Sequence, residues 1–230
     1  MRHSLQAEGF GIRLRPVHLE DAAFILWVRS LDYVKGNVGD SAADVAAQEA
    51  WLRAYFEKPD DYCFIAESPT GIPLGTHGIY NVKGAFGEKG RHIMRPEVMA
   101  GVPTGILSTD LAFERLGLHE LRAKVVITNV TVHSLLRKSG FKQVGIIPAA
   151  QMIAGKPVDV IEFRVTAEDW FKVREGQLPL ARLAGAQVRE WEKTQLGKRQ
   201  PWEEAKTTPA QSVSAAGSEP EARKQCLTGT

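Results

Sequence analysis

The stretch from Glu120 to Gly145, ELRAKVVITNVTVHSLLRKSGFKQVG, constrains the fold more than any other because its apolar period changes twice within it. Leu121, Ala123, Val125 and Ile127 alternate, which places them on one face of a strand. Alternation ends at Thr128-Asn129, after which Val132, Leu135 and Leu136 recur at helical spacing. Gly140-Phe141 closes that helix, since glycine readily takes the left-handed conformation of a helix C-cap. Lys142 to Ile147 then reads as a return strand.

The remaining elements follow from the same periods. Gly11 to Pro16 reads as a first strand and His18 to Ser30 as a helix with Leu19, Ala22, Ala23, Leu26 and Trp27 inward. Ser41 is expected to cap a second helix, with Asp44 completing an approximate capping box. Tyr62 to Glu67 and Pro73 to Val82 read as strands joined by a Ser-Pro-Thr-Gly turn, and Gly87 to Arg95 as a fourth. Thr104 to Leu116 has helical spacing, with Pro103 in its first turn. Val158 to Val165 reads as the last strand, and Thr166 as the cap of a short helix carrying Trp170 and Phe171. The helical crossover between the fourth and fifth strands makes them parallel, whereas the early hairpins are antiparallel. A mixed, mostly antiparallel sheet with helices on both faces is the expected α/β (α+β) architecture.

One domain is expected over residues 1–175, followed by a weaker helical extension over 176–200. From Pro201 to 230, Ser, Thr, Pro, Ala, Glu and Lys replace the apolar pattern, which predicts a disordered tail. Trp191 and Trp202 suit either packing within the chain or the interface of a homodimer. With 43% hydrophobic and 24% charged residues, the chain has the makings of a real core. A net charge of +2 is too small for an electrostatic nucleic-acid footprint, so no nucleic-acid partner is expected. The two cysteines and six histidines have neither disulfide-framework nor ligand spacing, so no metal is expected. With no run approaching a membrane span and no apolar core of signal-peptide length near Met1, no membrane partner and a cytoplasmic location are expected.

An Asn at a strand end with Gly-Phe closing the next helix resembles the acetyl-coenzyme A site of the GCN5-related N-acetyltransferase (GNAT) superfamily. The resemblance covers residues 12–165 and is specific from Glu120 to Gly145. Its nearest branches are ribosomal-protein N-terminal and nucleotide-amino-sugar acetyltransferases. It implies the GNAT fold with the fourth and fifth strands splayed, acetyl-CoA as co-substrate, and a small-molecule amine or a peptide as acceptor. The segment from Arg95 to Gly105 lies where the family places its pyrophosphate loop, although Met99, Ala100 and Val102 replace the usual basic and glycine positions. That placement implies cofactor contacts at Ile93, Met94, Met99, Ala100, Gly101, Val102 and Thr104. Asn129 alone reads as a helix cap; within the resemblance it contacts the pantetheine arm, and Lys138 reaches the phosphates.

Acetyl transfer from a thioester needs a neutral amine, a stabilised oxyanion and often a proton for the departing thiolate. Glu88, His77, His92 and Tyr80 on the third and fourth strands are the candidate catalytic groups, His77 because an imidazole ordinarily titrates near neutrality. Glu88 alone is an ordinary strand-end carboxylate, and a His in an apolar strand is commonly held by hydrogen bonds. Many relatives carry a Tyr as general acid seven residues after the helix-opening Asn, where this chain has Leu136. In the loop after the first helix, Tyr33, Lys35 and Asn37 are candidate acceptor contacts, and His119 and His133 read as surface residues.

Overall fold

A computed structural model of the chain describes residues 3–39 and 41–203. The strand expected from Gly11 is the second arm of a hairpin. Ala7–Gly9 (β1) pairs with Ile12–Pro16 (β2) across Phe10-Gly11, whose φ values are 54° and 69°. A hairpin turn with two left-handed residues favours glycine at one of them, and Gly11 is that signal. The helix expected from His18 divides into a 3-10 turn, Leu19–Asp21, and α1, Ala22–Ser30. In α2, Val45–Phe56, the cap is Asp44 rather than Ser41: its carboxylate accepts from the Ala47 N–H at 2.8 Å. An aspartate one residue before the helix satisfies an orphan amide and also complements the helix dipole, which a serine farther upstream cannot do.

Tyr62–Glu67 (β3), Pro73–Lys83 (β4) and Phe86–Met94 (β5) form successive antiparallel pairs. A helix α3, Gly101–Asp110, continued by a π-helical turn at Leu111–Arg115, crosses to β6, Glu120–Val126. It begins ahead of the expected Thr104, and Pro103 falls in the first turn, where a missing N–H costs nothing. Asn129 caps α4, Val130–Lys138, and the long hairpin of β7, Lys142–Ile153, and β8, Lys156–Thr166, follows. The sheet order is β1-β2-β3-β4-β5-β6-β8-β7, with β5 and β6 as its parallel pair. This mixed, mostly antiparallel sheet with helices is the architecture expected from the sequence.

The pleat of β3 divides the core between the two faces. Phe64 and Ala66 pack with Ile12, Leu14, Ile106 and Trp170, whereas Cys63 and Ile65 pack with Phe24, Leu52 and Tyr55. Thus α3 and the helix that follows β8, α5 (Ala167–Gln195), cover one face and α1 and α2 the other. The helix α5, Ala167–Gln195, runs unbroken where the sequence predicts a short helix and then a weaker one. Its buried positions Trp170, Leu178, Ala181, Ala184 and Val188 keep one continuous inner stripe, which holds it helical through Gly176 and Pro179. The chain beyond it is not featureless at its start. Pro201–Glu203 forms a 3-10 turn that buries Trp202 against Phe24 and Trp27, at ring-centroid distances of 4.8 and 5.0 Å. The remainder of the expected tail, 204–230, lies outside the described residues.

Candidate active site

The parallel pair parts almost as soon as it forms. Phe86, Gly87 and Glu88 pair with Glu120, Leu121 and Arg122, and no pairing continues between Lys89–Met94 and Ala123–Val126. On their outer edges β5 still pairs with β4, and β6 with β8. The wedge therefore exposes two strand edges whose peptide groups face each other without a ladder, and an extended amide-bearing ligand can pair with such edges. The β5 edge bends at Arg91, a left-handed residue with φ 52°, where two β5 residues stand opposite one of β4. The wedge opens into a cleft of about 140 Å³ walled by β5, β6, the first turns of α3 and the inner face of α4.

Several residues expected from the sequence meet in that cleft, and others do not. Asn37, His92, Gly101, Val102 and Asn129 line it. The Asn129 side chain accepts from the Val132 N–H at 3.2 Å, so it is both a helix cap and a wall of the cleft. Gly101 and Val102 open α3, and the first amides of a helix have no intrahelical partner. A Cβ at Gly101 would stand 3.3 Å from His92 Nε2, so a side chain there would crowd the imidazole. Ala100, Thr104 and Ile93 are buried in the core rather than on the cleft wall, and Thr104 Oγ1 lies 3.7 Å from the sulfur of Met94. Met99 and Lys138 are exposed outside it.

Of the loop residues, Tyr33 donates its hydroxyl to the Met94 carbonyl, and burial with nearby Glu97 pushes its pKa up to about 12. Lys35 is exposed and paired with Asp32 at 2.7 Å. Only Asn37 of the three reaches the cleft.

Glu88 occupies the last position of β5 that pairs with β6, at the apex of the wedge. Its carboxylate is held by Lys124 Nζ at 3.1 Å and Asn81 Nδ2 at 3.2 Å. His77 is fully buried behind it. Burial, with Lys89 and His92 nearby, drives its pKa well below the ordinary imidazole value, against the near-neutral titration expected from sequence. Its Nδ1 lies 2.9 Å from Nδ1 of His92, so one of the two imidazoles donates to the other. Burial, with Lys89 nearby, lowers His92 to about 3, so it too is neutral at ordinary pH. Tyr80 lies under Arg91, whose guanidinium is 4.6 Å from its ring and paired with Asp61. Burial raises the phenol of Tyr80. His133 is buried, not a surface residue, and its Nε2 contacts the Val126 carbonyl at 3.0 Å, which pins α4 to the end of β6.

Sequence reasoning missed Lys89. It projects from β5 into the cleft, and its ammonium donates to the Gly105 carbonyl at 2.9 Å and to Thr109 Oγ1 at 2.6 Å on α3. Desolvation lowers its pKa to about 7, although Asp110 opposes the shift. The available signal was Gly105 in mid-helix, a position whose missing side chain makes room for a long neighbour.

The family model for the acetyltransferase (GNAT) domain matches residues 12–142. The chain belongs to the GNAT acetyltransferase family. Its members draw the acetyl group from acetyl-CoA; the unpaired strand edges of the wedge between β5 and β6 suit the pantetheine arm of that molecule, and the helix start at Gly101 suits its pyrophosphate. Among solved structures, a GCN5-related N-acetyltransferase from Brucella melitensis superposes with a TM-score of 0.67 at 18% identity, covering 78% of this chain and 86% of that one. The nucleotide-linked sugar GNAT FdhC, solved in its apo form, gives 0.63 at 22% identity, with 79% and 99% covered. RimJ from Mycobacterium smegmatis, solved with CoA-disulfide, gives 0.63 at 22% identity, with 74% and 88% covered. These likenesses establish the fold alone. No curated protein matches the chain significantly. Among the described residues, no helix is long and apolar enough to cross a membrane, and no cluster of His, Cys, Asp and Glu suits a metal ion.

Proposed function

We propose that the protein is a cytoplasmic, acetyl-CoA-dependent N-acetyltransferase that acetylates a primary amine of a small molecule by direct attack on the thioester. The observation that carries this reading is the wedge itself, with Glu88 at its apex and Asn129, Gly101 and Val102 on its walls. Acetyl-CoA supplies an activated acetyl group. The chain's part is to hold that group at the apex, offer a backbone N–H of β5 to the developing oxyanion, and take a proton from the acceptor ammonium.

Glu88 is the base in this reading. Its two partners, Asn81 and Lys124, fix its carboxylate at the apex, whereas His77 and His92 have lost most of their basicity to burial. Tyr80 and Arg91 form the acceptor-side wall together with Trp51, whose ring lies 5.5 Å from the Arg91 guanidinium. Nucleotide-linked amino sugars are the first acceptors to try, since the apo FdhC structure is among those the fold resembles; peptide N-termini are the second.

The test combines calorimetric titration with acetyl-CoA and a transfer assay over an amine panel of amino sugars, polyamines and peptide N-termini. Micromolar binding together with transfer to one acceptor class is expected. Glu88→Gln is expected to lower kcat by about 100-fold or more while leaving acetyl-CoA affinity close to that of the parent. Tight binding with no transfer to any amine would make the protein a coenzyme A-binding scaffold.

A further inference from the structure

The acetyl-transfer reading leaves one proton unassigned. When the C–N bond forms and the C–S bond breaks, the sulfur leaves as a thiolate, and Leu136 on the cleft wall has no proton to give. We propose that Lys89 is the catalytic acid that delivers a proton to this thiolate.

The geometry supports it in three ways. Lys89 and Leu136 line the same cleft, from β5 and α4 respectively. An ammonium has three hydrogens, and two of them are bound by the Gly105 carbonyl and Thr109 Oγ1 on α3, so one remains for the cleft. The butyl stem is packed between strand and helix, and Nζ stands 5.9 Å from the centre of the Phe141 ring, which fixes the tip without neutralising it. No carboxylate forms a salt bridge with Lys89 among the described residues. Asp110, at the end of α3, acts only at longer range. The other charged or titratable groups around the cleft are Glu88 at its apex, His92 and Arg91 on β5, His77 on β4 and Lys124 on β6. From α4 and its two caps the cleft receives apolar, amide and hydroxyl side chains, none of them charged.

Desolvation supports the same role, because an ammonium that titrates at about 7 passes its proton downhill to a thiolate whose conjugate acid ordinarily titrates at about 8.5. The balance closes. The acceptor amine loses its proton to Glu88 or to water, the thiolate gains one from Lys89, and the neutral Lys89 amine is recharged from solvent before the next turnover. The net reaction is amine plus thioester to amide plus thiol.

This assignment rests on the acetyl-transfer reading but is tested partly without it. The thiol of bound coenzyme A is titrated through the ultraviolet absorbance of its thiolate, in the parent protein and in Lys89→Met and Lys89→Arg. Because Lys89 is already neutral where a thiol titrates, the bound thiol is expected to titrate alike in the parent and Lys89→Met, whereas the permanently charged guanidinium of Lys89→Arg, beside the sulfur, lowers its pKa by about one unit or more. In turnover, Lys89→Met is expected to lose about 100-fold in kcat at near-parental affinity for acetyl-CoA. Lys89→Arg is expected to stay equally slow, because a guanidinium keeps its charge but does not release a proton. The alkaline limb of the parent kcat profile, centred near 7, disappears in both variants.

Removing a buried ammonium relieves a desolvation cost, so Lys89→Met is expected to fold, and a circular dichroism melt checks this. Lys89→Gln serves as a second variant with the same expectations. A bound-thiol pKa in Lys89→Arg no lower than the parent's, or parental kcat with the alkaline limb intact in Lys89→Met, overturns the assignment. Binding without transfer in the parent defeats the acetyl-transfer reading and the acid role with it, and the thiol titration then shows only whether residue 89 stands beside the sulfur. Failure of coenzyme A to bind at all defeats both.

Discussion

At the scale of single residues, depth is what separates the side chains that were legible from those that were not. Asn129 could be read because its position is fixed by two changes of period, and a helix cap beside a strand end has one place to be. Lys89 could not, because alternation tells which face a side chain takes but not what lies across from it; the answer came from Gly105 and Thr109 on a helix packed from the other side. His77 is a candidate for its ordinary titration, which burial has removed from it and from its neighbour His92 alike. That removal has a consequence for stability. The unfolded chain takes up protons at the ordinary value of 6.5, whereas folded His92 resists them down to about 3. Folding is therefore favoured above 6.5 and weakened as pH falls from 6.5 towards 3, by about 1.4 kcal/mol per pH unit for each such imidazole. Urea unfolding at pH 6.5, 5.5 and 4.5 is expected to show that slope, and His92→Gln is expected to flatten it by one imidazole's share. An unaltered slope in the variant would mean that His92 is charged in the folded protein.

At the scale of elements, close backbone approach decides how α5 sits on the rest. A Cβ at Gly185 would stand 1.7 Å from the Phe10 carbonyl oxygen, and backbone cannot yield as a flexible side chain can. The turn between β1 and β2 thus presses directly on the middle of α5. Gly185→Ala is expected to force the two apart and to destabilise the fold by about 3 kcal/mol, read as a lower urea midpoint, with Ala186→Gly as a helix-propensity control costing about 1 kcal/mol. Equal losses from the two changes would show that the helix and hairpin do not touch this tightly. The hairpin itself was invisible as periodic pattern, since β1 has three residues and only its Phe10-Gly11 turn carries a local signal. The crossover from β5 to β6 was legible because a helix between two strands admits one handed connection and hence a parallel pair. The cap of α2 was assigned to Ser41 instead of Asp44 because both carry acceptor side chains, and sequence alone does not say where the first helical turn begins.

Across the whole molecule, the last described residues return to the β5–α3 loop beside the cleft. The Arg95 guanidinium, in the residue after β5, lies 4.4 Å from the Trp191 ring and 5.4 Å from each of the Trp27 and Trp202 rings. Arg95 also donates to Gln200 Oε1 at 3.2 Å, and Glu192 accepts from Thr70 N–H and Oγ1 at 2.8 and 2.6 Å. Helix α5 and the turn at Pro201–Glu203 are thus bolted to the sheet through the residue from which the β5–α3 loop departs. Neither weak periodicity over 176–200 nor composition after Pro201 could reveal this, because a cation enclosed by rings from three distant segments leaves no local pattern. Trp202→Ala removes a buried ring that touches Phe24, Trp27 and Arg95, and is expected to cost about 3–5 kcal/mol, measured by urea unfolding. The same loss frees one side of Arg95 and so loosens the loop leading to Gly101 and Val102. Acetyl-CoA affinity is therefore expected to weaken several-fold at a temperature where the variant remains folded, while the dependence of kcat on pH stays as in the parent. An affinity unchanged alongside reduced stability would separate the strap from the cleft and leave it a purely structural clasp.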